Sequence, residues 1–238
     1  MITELAIGDI SVDVVFKDIK NVHLSVYPPT GRVRISAPAR MSMESVRLFA
    51  ISKIGWIKKQ QVKLRKQERE PPREYIDRES HYIWGQRFLL QVTEDGDQPG
   101  VIQEHRRLVL CVEPQASHDR RRELLDDWYR RELRDAAKPL IAKWEQRLEQ
   151  SVDRFFVQRM KTKWGSSNPR RGIIRLNLEL AKKRPECLDY VVLHEIAHFV
   201  VADHSPRFTT LLDSHLPQWR VVRQELNLAP LSDEAWLH

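Results

Sequence analysis

Cysteine and long apolar runs are scarce in this sequence. The 238 residues include two cysteines, Cys111 and Cys187, which are too few and too far apart for a disulfide framework or a cysteine zinc site. No apolar stretch approaches the roughly 20 residues that a membrane span needs. The N-terminus has no basic segment followed by an apolar one, so no secretory signal is expected. We therefore expect a protein of the reducing cytoplasm that has no membrane partner.

The bulk composition is that of an ordinary globular protein. Hydrophobic residues make up 41% of the chain and charged residues 31%, and a chain of this length can bury one large core or two small ones. The net charge is +7. This charge permits an anionic partner but does not require one, and the oligomeric state is left open.

Alternation of apolar and polar residues predicts strands in the N-terminal part of the chain. Residues 5–37 alternate around a turn signal at Pro28–Gly31, which predicts short antiparallel strands. Residues 81–92 and 101–112 alternate as well, and the loop 94–100 between them is typical of a hairpin. The N-terminal region is therefore expected to be rich in β-structure.

Two longer segments have helical periodicity. Residues 43–69 follow Ser42, a residue suited to the N-cap, and end before Pro71-Pro72. Many lysines and arginines lie in the second half of this segment, which we call the basic helix. Residues 117–150 predict a long charged helix, with Pro139 as the point where it would break.

The C-terminal part combines short strands with helices. We expect a strand at 155–160, a turn at 164–167, a strand at 172–177 and helices from there to the end. The predicted fold class is α+β, with a β-rich N-terminal region and a long helix followed by a catalytic unit. The predicted domains are 1–116, which contains the basic helix, and 117–238, whose catalytic core is 153–228.

One helix of the C-terminal part carries polar residues in an apolar run. Pro185 suits its first turn, and the helix is expected to end near Ala202. His194 and His198 are four residues apart, so both imidazoles leave one face of the helix and can reach one zinc ion. Glu195 lies beside the first histidine, where it can reach a water on the metal without being a ligand. This is the HExxH arrangement of metal-dependent hydrolases.

The third ligand is expected where the chain changes direction. Ser205-Pro206 is an N-cap followed by a proline suited to a first helical turn, so a new helix should begin there. His204 therefore lies between two helices and can fold back to the metal. Val201 occupies the position of the metzincin glycine, and no methionine follows to form a Met-turn. The protein is therefore not expected to be a metzincin.

The sequence resembles the YgjP-like zinc metallopeptidase family, which is related to SprT-like and WLM-type proteins. The similar segments in the C-terminal half are RMKTKWGSS (159–167), IRLN (174–177), LDYVVLHEIAH (188–198) and HSPRF (204–208). The similar segments further upstream are VRISAP (33–38), KIGWI (53–57) and YIWG (82–85). The resemblance implies that His194, His198 and His204 bind zinc and that Glu195 activates water. Ser167 is a departure, because members often have cysteine there.

The ligand set predicts a hydrolase with one zinc ion per chain. Three imidazoles leave one position of the metal open, and the pKa of a water there falls to about 7. Glu195 is expected to take a proton from this water and to return it to the leaving amine. The ligand set alone does not distinguish peptide hydrolysis from phosphoanhydride hydrolysis. A peptide or protein substrate is predicted because the strand Gly172–Asn177 is expected to offer an unpaired edge.

Several residues near the histidines are predicted to bind this substrate. The strand Gly172–Asn177, including Arg175 and Asn177, is expected to be a sheet edge on which an extended peptide pairs. Trp164, Gly165 and Ser166 either shape the wall of the cleft or form a plain tight turn. The oxyanion donor is expected among three cations, Lys161, Lys163 and Arg207.

Two other functions are open at this point. A metal-dependent nucleoside triphosphate pyrophosphohydrolase could use the same activated water. It would need converging cations, for which Lys161, Lys163, Arg170, Arg171, Arg175 and Arg207 are candidates, because the catalytic unit has no glycine-rich phosphate loop. A non-catalytic metal-binding module of a nucleic-acid-associated system is the other alternative, suggested by the basic helix.

Overall fold

The chain divides into two compact units between Glu70 and Pro71. The computed structural model describes residues 2–27, 31–66, 73–94, 98–160 and 163–228. The domain boundary predicted between residues 116 and 117 does not coincide with this division. It falls inside the second unit, because the strands before it and the helix after it share one hydrophobic core.

The first unit contains a four-stranded sheet in the order β1-β2-β4-β3. Its strands are β1 (Ile2–Ile7), β2 (Ile10–Lys17), β3 (His23–Tyr27) and β4 (Arg32–Pro38). The strands β1 and β3 are antiparallel to their neighbours, but β2 and β4 are parallel. The purely antiparallel sheet predicted for residues 5–37 is therefore wrong. Alternation fixes which residues face the core, but not which strands pair.

Two helices cover this sheet where the sequence predicts one. They are α1 (Met43–Ser52) and α2 (Ile54–Lys66), and residues 67–69 of the prediction lie outside the described part. Ser42 caps α1 as expected, accepting a hydrogen bond from the Ser45 N–H at 3.2 Å. At Lys53 the backbone N–H bonds to Ala50 O, 3.0 Å away, and the chain leaves the α conformation. The apolar residues keep a helical spacing across Lys53, so their pattern gives no sign of the break.

The second unit begins with another four-stranded sheet, in the order β5-β6-β8-β7. Its strands are β5 (Ser80–Ile83), β6 (Gln86–Thr93), β7 (Gly100–Glu104) and β8 (Arg107–Cys111). Each of the two predicted strands, 81–92 and 101–112, is a tight hairpin, and β6 and β8 are parallel. The turn Trp84-Gly85 has positive φ at both residues, 50° and 76°. A two-residue turn of this kind barely interrupts the alternation.

A long helix crosses the second unit. The helix α3 (His118–Leu148) begins behind Ser117, whose hydroxyl accepts a hydrogen bond from the Arg120 N–H at 3.2 Å. Pro139 lies inside α3 without ending it. The buried side of α3, which includes Leu125 and Leu133, packs in one core with the second sheet and the C-terminal helices.

The third sheet has the order β10-β11-β9. Its strands are β9 (Arg154–Gln158), β10 (Gly165–Asn168) and β11 (Ile173–Asn177). Residues 164–167, predicted as a turn, thus belong largely to a strand, which small polar residues do not signal. The strand predicted as an edge, Gly172–Asn177, is the central one, since β10 pairs on one side of β11 and β9 on the other.

Three helices complete the second unit, namely α4 (Pro185–Val200), α5 (Pro206–His215) and α6 (Trp219–Leu228). A 3-10 segment at Leu178–Lys182 joins β11 to α4. The predicted α+β class, with a β-rich N-terminal region, a long helix and an HExxH helix, is confirmed. Across the described residues, no helix is both long and apolar enough to cross a membrane.

Candidate metal centre and active-site cleft

The helix α4 positions the first two histidines. Pro185 occupies its first turn as predicted, and Leu188, Val192 and Ile196 are buried in the core. His194 and His198 are one turn apart on the remaining face. The ring atom Nδ1 of His198 lies 3.3 Å from Val201 O. If Nδ1 carries the proton, this bond holds the ring and leaves Nε2 with a free lone pair.

The third histidine lies in the joint between α4 and α5. His204 Nε2 lies 3.2 Å from His194 Nε2. Ser205 occupies the N-cap position and Pro206 the first turn, but the Ser205 side chain makes no capping hydrogen bond. Instead, the Ser205 N–H donates to the Asp203 carboxylate at 3.3 Å. The predicted change of direction is present, with Asp203 ordering the turn.

Nitrogen atoms of His194, His198 and His204 lie within 4.8 Å of one another. The ring of Phe208 packs against all three imidazoles, at centroid distances of 5.0, 4.7 and 5.0 Å. Phe208 is 1% exposed. The buried Phe208 ring therefore supports the orientation of the three imidazoles. The spacing of the histidines in the sequence does not predict this contact.

The three histidines fit a zinc ion. Burial and, to a smaller extent, the neighbouring histidines lower the pKa of His194 to about 3. Burial also lowers the pKa of His198. Both rings are therefore neutral at pH 7, as a metal requires of its imidazole ligands. The Nδ1 atom of His194 is buried and has no hydrogen-bond partner in the described part of the chain. Imidazole nitrogens converging in this way suit zinc.

Glu195 lies beside this cluster and is 5% exposed. Burial raises the pKa of its carboxyl to about 7, while a hydrogen bond from Ser167 and the charge of Lys163 act in the opposite direction. Gly165 on β10 makes the closest approach, because a Cβ built there would lie 2.6 Å from Glu195 Oε1 and 2.9 Å from Val191 Cγ1. Glycine therefore lets the strand β10 lie directly against α4.

A cleft of about 550 Å³ opens over the histidines and Glu195. One wall is formed by residues 163–167, and the other by Arg223, Leu226 and Asn227 of α6. The walls meet where Trp164 Nε1 donates a hydrogen bond to Leu226 O at 3.2 Å. Of the predicted substrate-binding residues, the structure brings four into this cleft: Lys163, Trp164, Gly165 and Ser166.

The other predicted substrate-binding residues lie elsewhere. Asn177 is fully buried, and its amide donates to Met160 O at 2.9 Å and to Lys163 O at 2.8 Å. It supports the segment before β10 and does not line the cleft. The Arg175 guanidinium lies 5.9 Å from the Phe156 ring centre, on the third sheet. Arg207 is exposed on α5 outside the cleft lining, and Lys161 lies outside the described residues.

The cleft lining also includes residues that the sequence does not predict as site residues, among them Ser167, Tyr190 and Arg223. Tyr190 precedes His194 by one helical turn, so helical spacing could have identified it. Arg223 lies on α6, and only the packing of α6 against α4 brings it to the cleft. Ser167 follows Ser166 on β10. Because the sequence predicts a turn here and not a strand, it gives no indication of which side chains face the cleft.

Known proteins were compared with this chain by structure and by sequence. The crystal structure of the metallopeptidase zymogen abylysin from Pyrococcus abyssi is 17% identical, with a TM-score of 0.36, over 38% of this chain and 90% of that chain. The zymogen jannalysin from Methanocaldococcus jannaschii is 20% identical, with a TM-score of 0.33, over 40% and 87%. A comparison with curated proteins gave no significant match. The YgjP-like metallopeptidase domain matches residues 20–229, and the chain therefore belongs to this family of metallopeptidases.

Proposed function

We propose that the protein hydrolyses peptide bonds with one zinc ion held by His194, His198 and His204, and with Glu195 as general base. The observation that carries this proposal is the convergence of three imidazole nitrogens within 4.8 Å in the cleft that Glu195 lines. Family membership supports the peptidase activity at the level of the family.

The groups of the chain have distinct roles in this reaction. When bound, zinc supplies a Lewis acid with an open coordination position. Glu195 takes a proton from the attacking water and gives it to the leaving amine. Ser167 orients the carboxylate through its hydrogen bond. Phe208 holds the three imidazoles in place, so that the donor set is already formed before a metal arrives.

The substrate binds along β10, not along the strand expected from the sequence. Within the described third sheet, β10 pairs only with β11, and its residues line the cleft. An extended peptide can add to such an edge by main-chain hydrogen bonds. The small side chains of Gly165, Ser166 and Ser167 let the peptide backbone approach the wall closely.

Lys163 is the cation best placed to stabilise the oxyanion of the tetrahedral intermediate. Of the candidates Lys161, Lys163 and Arg207, it is the one that lines the cleft in the described part of the chain. Its charge acts on the Glu195 carboxyl, so its ammonium group lies near the proposed general base. A positive group fixed there stabilises charge that develops in the transition state.

Triphosphate hydrolysis is less well supported by the cleft. A triphosphate needs several converging cations or a glycine-rich cradle. Among the described residues that line the cleft, the permanent cations are Lys163 and Arg223. The arginines proposed to converge, Arg170, Arg171, Arg175 and Arg207, do not line it. The edge strand β10 instead suits an extended peptide.

A nucleic-acid-associated role for the basic helix stays a prediction, as does a cytoplasmic location. Lys58 in this segment makes an exposed ion pair with Asp9 at 3.0 Å. Trp56 is 45% exposed on the same helix. These features are compatible with a solvated face.

The test compares two variants of the same helix. Zinc-loaded wild type, Glu195→Gln and Glu186→Gln are incubated with unfolded proteins and, separately, with nucleoside triphosphates. Glu186 lies exposed in the first turn of α4 and pairs with Arg184 at 3.2 Å, so it is a matched control. We expect the wild type and Glu186→Gln to cleave protein, and Glu195→Gln to be slower by at least about 10²-fold with metal retained. Pyrophosphate release that disappears in Glu195→Gln, without any protein cleavage, would contradict the proposal.

A further inference from the structure

The α6 wall of the cleft carries an unexplained positive charge. Arg223 lines the cleft and is exposed, and in the described part of the chain no carboxylate pairs with it. Its guanidinium carbon lies 5.8 Å from the centre of the Trp219 ring. Arg223 lines the same cleft as Tyr190 and His194, so its side chain lies near the proposed metal ligands.

A stack of rings lies beside this arginine. The Trp219 ring is parallel to the Tyr190 ring within 11°, at 6.2 Å, and Tyr190 lies 5.7 Å from His194. Trp219 is itself anchored, because its Nε1 donates to Asp213 Oδ1 at 2.8 Å. These rings lie between Arg223 and the proposed metal ligand His194. A planar guanidinium loses less side-chain freedom for each hydrogen bond that it forms than a lysine ammonium does.

The charge around Arg223 favours an anion. Among the described cleft residues, Glu195 is the one acid, and Lys163 is the cation nearest to it on the opposite wall. A peptide lying along β10 would pass between the two walls, with its side chains alternating between them. A substrate carboxylate on the α6 side would meet the guanidinium, which is shaped to bind carboxylates by two parallel hydrogen bonds.

We propose that Arg223 is a specificity-determining residue that binds a carboxylate of the peptide substrate near the scissile bond. This inference rests on the proposed peptidase function. The carboxylate is either that of an acidic side chain or that of the peptide C-terminus, and both offer the same two oxygens to the guanidinium. The enzyme therefore prefers acidic peptides, or the ends of peptides, over neutral internal sequences.

The test uses a matched pair of arginines on α6. Arg220 lies over the same Trp219 ring, at 4.6 Å, but pairs with Asp213 and does not line the cleft. Cleavage sites in an unfolded protein are first mapped by mass spectrometry. Peptides around one site are then prepared with Glu, Gln or Lys near the scissile bond, and with a free or an amidated C-terminus. Each is assayed with wild type, Arg223→Gln, Arg223→Lys, Arg223→Glu and Arg220→Gln.

We expect wild type and Arg220→Gln to prefer the carboxylate form by about tenfold or more in kcat/KM. Arg223→Gln should lose this preference, Arg223→Lys should keep part of it, and Arg223→Glu should shift it to the Lys peptide. A preference for Glu over Gln identifies a side-chain carboxylate, and a loss on amidation identifies the C-terminus. Unchanged ratios in Arg223→Gln would overturn the inference.

A binding measurement separates this inference from the proposed function. Fluorescent versions of the same peptides are titrated onto zinc-loaded Glu195→Gln protein, in which turnover is not needed for a signal. We expect the carboxylate peptides to bind about tenfold more tightly, and the double variant Glu195→Gln/Arg223→Gln to lose the difference. Equal binding by these two proteins would overturn the Arg223 assignment even if peptides are cleaved. Failure of the wild type to cleave any peptide would count against the proposed function alone.

Discussion

The two four-stranded sheets of this protein have the same topology but different roles. Each consists of two hairpins whose second strands pair in parallel, in the orders β1-β2-β4-β3 and β5-β6-β8-β7. When the hairpin turns Gly8-Asp9 and Trp84-Gly85 are aligned, Leu5 corresponds to His81 and Ile35 to Leu108. The first sheet packs in a core of its own with Val46, Ala50 and Ile57. The second shares its core with α3 and α4.

The second sheet also contacts α3 and the segment that precedes α4, the helix that carries His194 and Glu195. Trp84 N–H donates to Ala181 O at 2.8 Å, and the Tyr129 hydroxyl donates to Tyr82 O at 2.9 Å. A Cβ on Gly85 would lie 2.8 Å from Arg184 Cγ, at the start of α4, whereas Gly8 has no such neighbour within 4 Å among the described residues. One topology thus serves either as an independent unit or as the support of a catalytic site.

Truncating equivalent core residues of the two sheets should have the largest effect on the stability of each unit. Leu108 and Ile35 are both fully buried, and truncation of either to alanine should cost about 2–5 kcal/mol of its unit's stability. Leu108→Ala should lower the melting temperature of the unit that carries the histidines, and with it the temperature at which peptidase activity is lost. Ile35→Ala should leave that temperature unchanged.

Thermal unfolding and residual activity are measured on both variants after heating. Equal losses of activity in the two variants would mean that the two sheets support the site alike.

The next prediction compares the effects on peptidase activity of two glycine substitutions, one at the cleft and one in the first unit. Gly165→Ala would push β10 from Glu195 and Val191, and a misplacement of about 1 Å costs on the order of 10²-fold in rate. Gly55→Ala is the control, since no atom lies within 4 Å of the added Cβ among the described residues, and alanine stabilises a helix by about 0.5–1 kcal/mol. Steady-state peptidase kinetics check the pair. Wild-type kcat/KM in Gly165→Ala would show that β10 can move without disturbing Glu195.

The stability of the second sheet should depend on pH through His81. The corresponding residue of the first sheet is Leu5, which has no titratable group. His81 is 3% exposed, and burial lowers its pKa from 6.5 to about 3, with the charges of Arg73 and Lys182 adding to the effect. Glu79, at 3.7 Å, is already engaged by Arg73 and the Tyr75 N–H. Between pH 6.5 and 3 the unfolded chain therefore binds a proton at His81 that the folded chain does not.

The folded state accordingly loses stability as the pH falls through this window, by up to about 1.4 kcal/mol per pH unit from His81. At pH 5 this amounts to about 2 kcal/mol. His81→Leu should flatten the dependence, as measured by urea unfolding between pH 7.5 and 5. A variant with the same slope as wild type would assign the acid sensitivity to other groups.

The sequence predicts those parts of the molecule that depend on local spacing. The helix α4, its two histidines and Glu195, and the joint that carries His204 follow from helical periodicity and from prolines at helix starts. The strand pairings did not follow, because a parallel pair such as β2 and β4 joins segments that local patterns treat separately. The edge strand β10 was missed because Gly165, Ser166 and Ser167 have weak strand propensity.

The wall of the cleft depends on tertiary packing. Arg223 reaches the site because α6 packs against α4, and Phe208 contacts the three imidazoles because α5 folds back across them. No spacing rule relates these residues to His194. In contrast, Asn177 and Arg175 lie outside the cleft because their strand is central in the third sheet and not the edge that its sequence predicts.

We expect the second unit to hold one metal ion, at His194, His198 and His204. Metal content is measured by mass spectrometry on purified wild type, on His198→Ala, and on His23→Ala, whose histidine is exposed in the first unit. We expect about one zinc ion per chain in wild type and His23→Ala. His198→Ala, with one of three ligands removed, should lose most of it. Zinc retained at the wild-type level in His198→Ala would show that the metal is bound elsewhere.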